Sequence, residues 1–378
     1  MESGRKTSLL TEYMFYKAEK FGIPLSGTFE LTPMCNFSCR MCYVRKTAEE
    51  VGKSSRPMRT LGQWLHLARE ARDAGMLYLL LTGGEPTILP GFWEFYEELM
   101  QMGLVVSINT NGSLLDERAV ERLSEYPPRR VNITLYGASD RTYEKLCGVK
   151  GMFSKVDSSI RRLREAGIQV KLNCSLTPYN AADLEAMAAY AKDRDLILDI
   201  ATYMFPPLRR DLSMVGQNER FTPAEAAFYR MKSYKLQFGE EKYRETLLKI
   251  QKESVPPPGL SGNCPDPMDG KIRCRAGKAS FWATWDGWLS LCGMMPEPRA
   301  DLLKGTFAEA WKELRDACDQ IRVSGVCKRC PNYQICHACA AMAQTETGST
   351  AGIPAYLCKT TAEMRRLAEE ELAEEKSN

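Results

Sequence analysis

No stretch of this chain approaches the ~20 consecutive apolar residues that cross a bilayer. The first residues, Met1 to Thr11, carry mixed charge and no apolar core, which excludes a secretory signal. Excess charge is missing too. Lys+Arg 51 against Asp+Glu 48 leaves a net +3, too balanced for a surface that tracks phosphates. The basic pairs Arg129-Arg130 and Arg209-Arg210 read as solvated surface. There is no internal repeat and no low-complexity segment. These absences point to a cytoplasmic globular protein whose partners include neither membrane nor nucleic acid.

What the chain does have is cysteine. Fourteen occur in 378 residues, a length that allows two domains. Disulfides are rare in a reducing compartment, so such thiols more often bind metal or act catalytically. Three lie at 35–42 and nine between 264 and 358, with Cys147 and Cys174 alone in the middle. That clustering suggests a map: an N-terminal helical segment at 1–26, an α/β body at 27–205, a helical linker at 206–260, a cysteine-rich domain at 261–359, and a C-terminal helix at 360–378.

In the N-terminal segment, Leu9, Leu10, Tyr13, Met14 and Lys17 keep helical spacing. From Gly27 onward, strand-like runs (Thr28–Leu31, Leu77–Leu81, Leu104–Ile108, Val131–Leu135, Ile168–Leu172, Leu196–Ile200) alternate with helical patterns such as Leu61, Trp64, Leu65 and Ala68. Unbroken apolar strands alternating with amphipathic helices predict a parallel sheet covered by helices. Six such units predict a partial (β/α)6 barrel, with its site at the C-terminal strand ends. The alternation stops after Phe205-Pro206-Pro207. One or two charged helices follow, from the capping pattern Thr222-Pro223-Ala224-Glu225, and then a linker at Val255-Pro256-Pro257-Pro258-Gly259. The cysteine-rich remainder is expected to rely on metal more than on a large apolar core.

Cys35, Cys39 and Cys42 follow the first strand as C-x3-C-x2-C. Thiolates suit iron–sulfur clusters and zinc, and a four-iron cluster takes four of them. Three would leave one iron open to a ligand that is not protein. Incidental buried cysteines, or half of a zinc site, are the plainer alternatives. The second strand runs into Thr82-Gly83-Gly84-Glu85-Pro86, where paired glycines let the backbone come close to a ligand. Glu85 is a candidate acceptor for a ligand's ammonium.

The two motifs together resemble the radical S-adenosylmethionine (SAM) enzymes, over about residues 28–205. The resemblance implies that Cys35, Cys39 and Cys42 hold a [4Fe-4S] cluster whose open iron is chelated by SAM. It implies that Gly83, Gly84, Glu85 and Pro86 bind the methionine ammonium. Reductive cleavage by an external one-electron donor, such as flavodoxin or ferredoxin, would give a 5′-deoxyadenosyl radical that abstracts hydrogen from the substrate. At the other strand ends, Thr134 and Asn173 are candidate SAM contacts, and Tyr136 stands where related enzymes often carry an acid. The position before the last cluster cysteine, usually aromatic, is Met41, with Tyr43 after the cysteine as a candidate contact.

The C-terminal pattern is Cys274, Gly287, Cys292, then Cys327-x2-Cys330-x5-Cys336-x2-Cys339 and Cys358. It has too many thiols for one zinc ribbon, though two zinc sites would fit the number. The order resembles the SPASM extension of radical SAM enzymes, which usually carries two auxiliary four-iron clusters. The family form has three residues where this chain has two between Cys336 and Cys339. Carried over by position, one cluster would use Cys264, Cys274, Cys292 and Cys339, and the other Cys327, Cys330, Cys336 and Cys358. Cys264 lies outside the core signature. Cys174 and Cys318 read as buried structural thiols, whereas Cys147 is open to an active-site position.

Enzymes of this type mostly modify peptides or proteins by crosslinking, epimerisation or oxidation, so the implied substrate is a peptide or protein. Sulfatase maturases keep an aspartate directly after the cysteine equivalent to Cys292; here it is Gly293, which argues against that activity. Asp286, Tyr136 and Tyr203 remain as possible bases. Only 34 residues precede Cys35, too few for a separate leader-binding domain ahead of the cluster loop. The segment Phe281–Trp288 reads as core, or as a groove wall. Two alternatives stay open. One is dehydrogenation of a small molecule with the auxiliary clusters as electron acceptor. The other is a non-catalytic iron–sulfur electron carrier.

Overall fold

The computed structural model describes residues 8–252, 270–272, 274–328, 330–336 and 338–377. Helix α1 (Leu9–Phe21) starts at Ser8, whose hydroxyl accepts from the Thr11 N–H. Six strand–helix units follow. The strands are β1 (Ser26–Glu30), β2 (Tyr78–Thr82), β3 (Val105–Thr110), β4 (Arg130–Thr134), β5 (Val170–Ser175) and β6 (Ile197–Ala201). Each pairs in parallel with its sequence neighbour. The expected alternation is therefore present, with strand ends displaced by one to three residues from the apolar runs.

The outer layer comprises α2 (Leu61–Asp73), α3 (Phe92–Gln101), α4 (Glu117–Glu125), α5 (Asp140–Cys147), α6 (Met152–Glu165) and α7 (Leu184–Asp193). Helix α2 opens on a capping box in which Thr60 and Gln63 bond reciprocally, satisfying two backbone N–H groups that have no partner inside the helix. Its buried residues, Trp64, Leu65, Leu67, Ala68 and Ala71, include three of the four positions of the repeat read in the sequence; the fourth, Leu61, is half-buried. Trp64 packs on Phe29 of β1 at 4.8 Å between ring centroids.

The region after residue 270 departs from expectation. A further strand, β7 (Ser280–Ala283), lies parallel beside β1 with Ser26 opposite Ser280. It is followed antiparallel by β8 (Trp288–Ser290) and β9 (Arg299–Asp301). The result is one nine-stranded sheet, β6-β5-β4-β3-β2-β1-β7-β8-β9. The boundary expected at residue 261 therefore does not separate two cores. Phe281 is buried between Phe29 of β1 and Phe307 of helix α9 (Phe307–Gln320, numbered after α8 below), at 6.4 and 5.0 Å. Trp311 of that helix donates its indole N–H to the Gly22 carbonyl, 2.7 Å away, tying in the end of α1. The hairpin gains more by joining an existing sheet than by standing alone, because an isolated hairpin is marginal in water. Of the aromatic segment, Phe281 and Trp285 are core. Trp288 is clasped between the guanidinium groups of Arg56 and Arg299, at 3.9 and 4.1 Å from its ring centroid.

Between barrel and hairpin lies helix α8 (Pro223–Lys252), which begins with the expected box of Thr222 and Glu225 and breaks at Gly239. The C-terminal helix α10 (Ala355–Ser377) starts five residues before the boundary expected at 360 and carries Cys358 in its first turn. It packs on α8 through a separate cluster including Met231, Leu247, Met364 and Ala368, with the Tyr243 hydroxyl donating to Glu371 at 2.8 Å. Among the described residues, no helix is long and apolar enough to cross a membrane.

Because Phe281 joins the barrel to the hairpin, Phe281→Ala is expected to cost about 3–5 kcal/mol, the range for a buried aromatic. Urea unfolding followed by fluorescence should show one transition moved to lower urea. Two separated transitions would mean that the barrel and the hairpin do not share a core.

Candidate cluster and cofactor site

The cysteine loop leaves β1 at Leu31, whose N–H donates to the Thr82 carbonyl at the end of β2 (2.9 Å). The glycine turn then lies directly on that loop. Gly84 N–H donates to the Thr32 carbonyl (2.6 Å) and Glu85 N–H to the Met34 carbonyl (2.9 Å). A Cβ on Gly83 would strike the Thr32 carbonyl, and one on Gly84 would strike that of Met34. The glycines are thus required by the approach of one backbone to another, before any ligand is considered.

Glu85 faces inward. It is fully buried, and its oxygens accept from Thr87 N–H and Oγ1, from Thr110 Oγ1 at 2.8 Å and from Asn111 N–H at 2.7 Å. Burial pushes its carboxyl up, and these four donors oppose that rise. The sequence suggested Glu85 as acceptor for a ligand's ammonium; its place is that of a staple joining β2 to β3. Asn111, held by Glu85, reaches back with its amide to Asn36 Oδ1 (2.8 Å) and to Cys35 Sγ (3.8 Å). On the far side of the loop, Ser38 and Arg40 donate their N–H groups to the Cys147 and Leu146 carbonyls at the end of α5 (2.8 and 3.1 Å). The loop is bonded to three strand–helix units.

Cys35, Cys39 and Cys42 line one side of a cavity of about 390 Å³ at the C-terminal strand ends. Gly83, Gly84, Thr134 and Tyr43 line it too. Pro86 is buried, like Glu85, and neither is among the lining residues. Asn173 lies two residues short of the end of β5, and the side chain of that strand which reaches the cavity is Ser175. Among the cavity residues that escaped the sequence reading are Ser175 and Arg45. Ser175 could have been found by extending the fifth strand to its true end. Arg45, three residues after Cys42, has a buried Nε with no hydrogen-bond partner, and no local pattern marks it.

Backbone N–H groups point at the sulfurs: Phe37 N to Cys35 Sγ (3.3 Å) and Arg45 N to Cys42 Sγ (3.2 Å). Burial pushes the Cys35 thiol up to about 12, against the pull of the Phe37 N–H. Burial also raises Cys42. Cys39 moves down, chiefly through a hydrogen bond with the Cys147 thiol and then one with Tyr136. Cys147 is thus buried behind the cysteine loop and is not among the cavity-lining residues. A cationic metal core is the partner that would turn such buried thiols into thiolates. Among the described residues, no group of three or more Cys, His, Asp or Glu is gathered tightly enough for a single ion. Three thiols on one cavity suit a cluster, whose thiolates sit on separate irons.

Toward the C-terminus several of the thiols lie near one another, and Cys274 also lies within electrostatic reach of Cys318. Cys292 lies within electrostatic reach of Cys339 and Cys274, and Cys339 of Cys274. Cys358 sees Cys336, Cys327 and Cys330. Cys264 lies outside the described residues. Cys174 and Cys318 are buried, the latter donating to the Ala276 carbonyl at 3.4 Å. The chain just after Cys292 is tied to the barrel by a buried ion pair. Arg209 grips Glu30 of β1 with two bonds (2.7 and 2.6 Å) and donates to the Gly293 carbonyl (3.2 Å), while the Trp282 indole donates to Glu30 (3.0 Å). Met294, two residues after Cys292, lines the cavity.

Residues 29–191 match the family model described as the Radical SAM superfamily. The chain is 25% identical over 333 residues to the AdoMet-dependent heme synthase of Methanosarcina barkeri, covering 85% of this chain and 92% of that protein. It is 29% identical over 177 residues to the antilisterial bacteriocin subtilosin biosynthesis protein AlbA of Bacillus subtilis, covering 47% of this chain and only 38% of AlbA. With the sporulation killing factor maturation protein SkfB of the same organism it shares 24% identity over 76% of this chain and 64% of SkfB. Among solved structures, native anSMEcpe with bound AdoMet superposes with a TM-score of 0.67 at 20% identity, covering 94% of this chain and 100% of that one. Streptococcus suis SuiB bound to precursor peptide SuiA gives 0.65 at 16% identity, covering 95% and 83%. At such identities the structural likeness is one of fold. The body of the chain, residues 29–191, is a radical SAM domain, the domain type that binds a [4Fe-4S] cluster and S-adenosylmethionine.

Proposed function

We propose that this protein is a radical SAM enzyme that abstracts hydrogen from a peptide or protein substrate. The observation that carries the reading is the shape of the site. The cavity bearing the three thiols and the glycine turn is open on one side, and Met41, Cys42 and Phe205 also wall a second cavity of about 360 Å³. Two adjoining open cavities accommodate a chain better than a closed small-molecule pocket does. The names of AlbA, SkfB and the SuiA-bound SuiB support the same direction.

In this reading Cys35, Cys39 and Cys42 would hold the cluster, and SAM would bind beside it in the same cavity. When bound and reduced by an external donor such as flavodoxin or ferredoxin, that pair supplies the radical that removes the substrate hydrogen. The chain's own part is to bind and to exclude. With Glu85 saturated, the acceptors for the methionine ammonium at the glycine turn are main-chain carbonyls. Thr134 and Tyr43 line the cavity, and Phe37, Met41 and Met294 give it an apolar side that keeps water from the reacting atoms. Cys274, Cys292 and Cys339, with Cys264, would hold one auxiliary cluster; Cys327, Cys330, Cys336 and Cys358 would hold the other. A Cβ at Gly293 would lie 2.7 Å from the Trp282 ring, so the aspartate that sulfatase maturation calls for has no room here.

The second reading, small-molecule chemistry, is favoured by the heme synthase, which matches 85% of this chain. It predicts SAM cleavage that responds to a small carboxylate or tetrapyrrole and not to peptides.

Iron, sulfide and zinc should be measured after anaerobic reconstitution, on the native chain and on the Cys35/Cys39/Cys42→Ala variant. Three clusters correspond to roughly 12 irons falling to about 8 in the variant, because each cluster carries four. Zinc in place of iron would remove the enzyme reading. Gly84→Ala should lower both iron content and SAM binding in equilibrium dialysis, since the added methyl displaces the loop that carries Cys35. Unchanged values would show that the turn is not packed on that loop.

A further inference from the structure

The second cavity has a chemistry that the cluster and SAM leave unused. It lies between the cysteine loop, the residues just after it, and the segment 205–219 that follows β6. Three cations line it: Arg40, Lys46 and Arg210. Among the described residues none of the three forms an ion pair. Arg40 lies over the Tyr179 ring and donates Nε–H to the Lys145 carbonyl (3.3 Å), Lys46 lies over the ring of Trp285, and Arg210 donates once, to the Cys42 carbonyl (3.1 Å). The acids on the same wall are committed to their own surroundings. Glu50 closes the capping box of the short helix Ala48–Gly52, Asp211 accepts from Ser213 N–H and Oγ, and Glu219 accepts from the Tyr179 hydroxyl. The wall is formally neutral and Glu50 lies within electrostatic reach of Arg210 and Lys46, but the acids accept from neighbouring donors while most N–H groups of the cations have no acceptor.

One acceptor is free, and it is of a different kind. Asn218 gives its amide N–H to the Met204 carbonyl (2.6 Å), and its Oδ1 is buried with no partner. A buried carbonyl oxygen without a donor costs about 1–3 kcal/mol, and since this oxygen has no accessible surface, a turn of the Asn218 side chain toward the cavity that gives it a ligand N–H is favoured. A carboxylate for the cations and an N–H for Asn218 are together the groups of a peptide bearing an acidic side chain.

We propose that the cavity of Arg40, Lys46, Arg210 and Asn218 is the substrate's docking subsite and receives an acidic residue of a peptide. The shared wall of Met41, Cys42 and Phe205 then places the reacting residue a short distance along the same strand of substrate, in the cavity of the three thiols. The inference rests on the peptide reading above and adds the sequence character of the peptide.

The test uses the immobilised, reconstituted full-length enzyme with SAM and a pool of capped octapeptides randomised at every position, read by mass spectrometry of the retained fraction. Asp or Glu should be enriched about tenfold at one position, the gain of one charge-assisted contact worth ~1.4 kcal/mol. Lys46→Gln and Asn218→Ala should each reduce that enrichment at unchanged iron content. Arg210→Gln is a weaker probe, because Arg210 also holds the cysteine loop. Retention of peptides with no acidic preference would overturn the subsite while leaving the peptide reading intact. Retention of none, with 5′-deoxyadenosine formation stimulated by a small carboxylate alone, would overturn both. An acidic preference that survives in Lys46→Gln and Asn218→Ala would place it elsewhere and also overturn the subsite.

Discussion

Two backbones in contact are the constraint on which this structure depends. The turn after β2 is pressed on the loop after β1, with main-chain hydrogen bonds at Thr32 and Met34 and no room for a side chain on Gly83 or Gly84. Such a contact fixes the cysteine loop without asking its own residues to form a core. Glu85 extends the constraint to β3, where its buried carboxylate orders Thr110 and Asn111, and Asn111 returns to Asn36 and Cys35. A buried carboxylate is costly unless its acceptor sites are filled. Here they are filled by groups that also shape the cavity, so the cost of burial is offset where it does most to hold the thiols in place.

A second fixed point, the pair Glu30–Arg209, couples the barrel to the chain just after Cys292. Arg209 lies in the segment after β6, Glu30 at the end of β1, and their common neighbours are Trp282 and the Gly293 carbonyl. A buried ion pair is weak evidence for stability but can fix one arrangement among several. In this chain it fixes the direction from which Met294 enters the cavity. The absence of a side chain at Gly293 follows from the same packing, because the Trp282 ring occupies the space.

Much of this was legible because ligand spacing is local. Cys35, Cys39 and Cys42 fall within one loop, and the fold places all three on one cavity. Period and apolar content likewise gave the six strand–helix units. What escaped was set by tertiary neighbours. Nothing in Ser280-Phe281-Trp282-Ala283 says that it pairs with β1, since a four-residue strand carries no label for its partner. Glu85 beside two glycines looked like a ligand group because its donors, Thr110 and Asn111, lie a strand away. Asn173 looked terminal because the apolar run ends at Leu172, while the strand continues to Ser175. Arg45 had no periodicity to place it.

The pairing of β1 with β7 has a consequence for how the molecule is made. Ser26 waits for Ser280, about 250 residues of synthesis away. Chains emerge from the ribosome at about 5–20 residues per second, so β1 presents an unpaired edge for tens of seconds after its β2 side could close. An open edge is a template for another chain. The hairpin that carries β7 is thus the last part of the sheet to be made, and its arrival removes the open edge of β1.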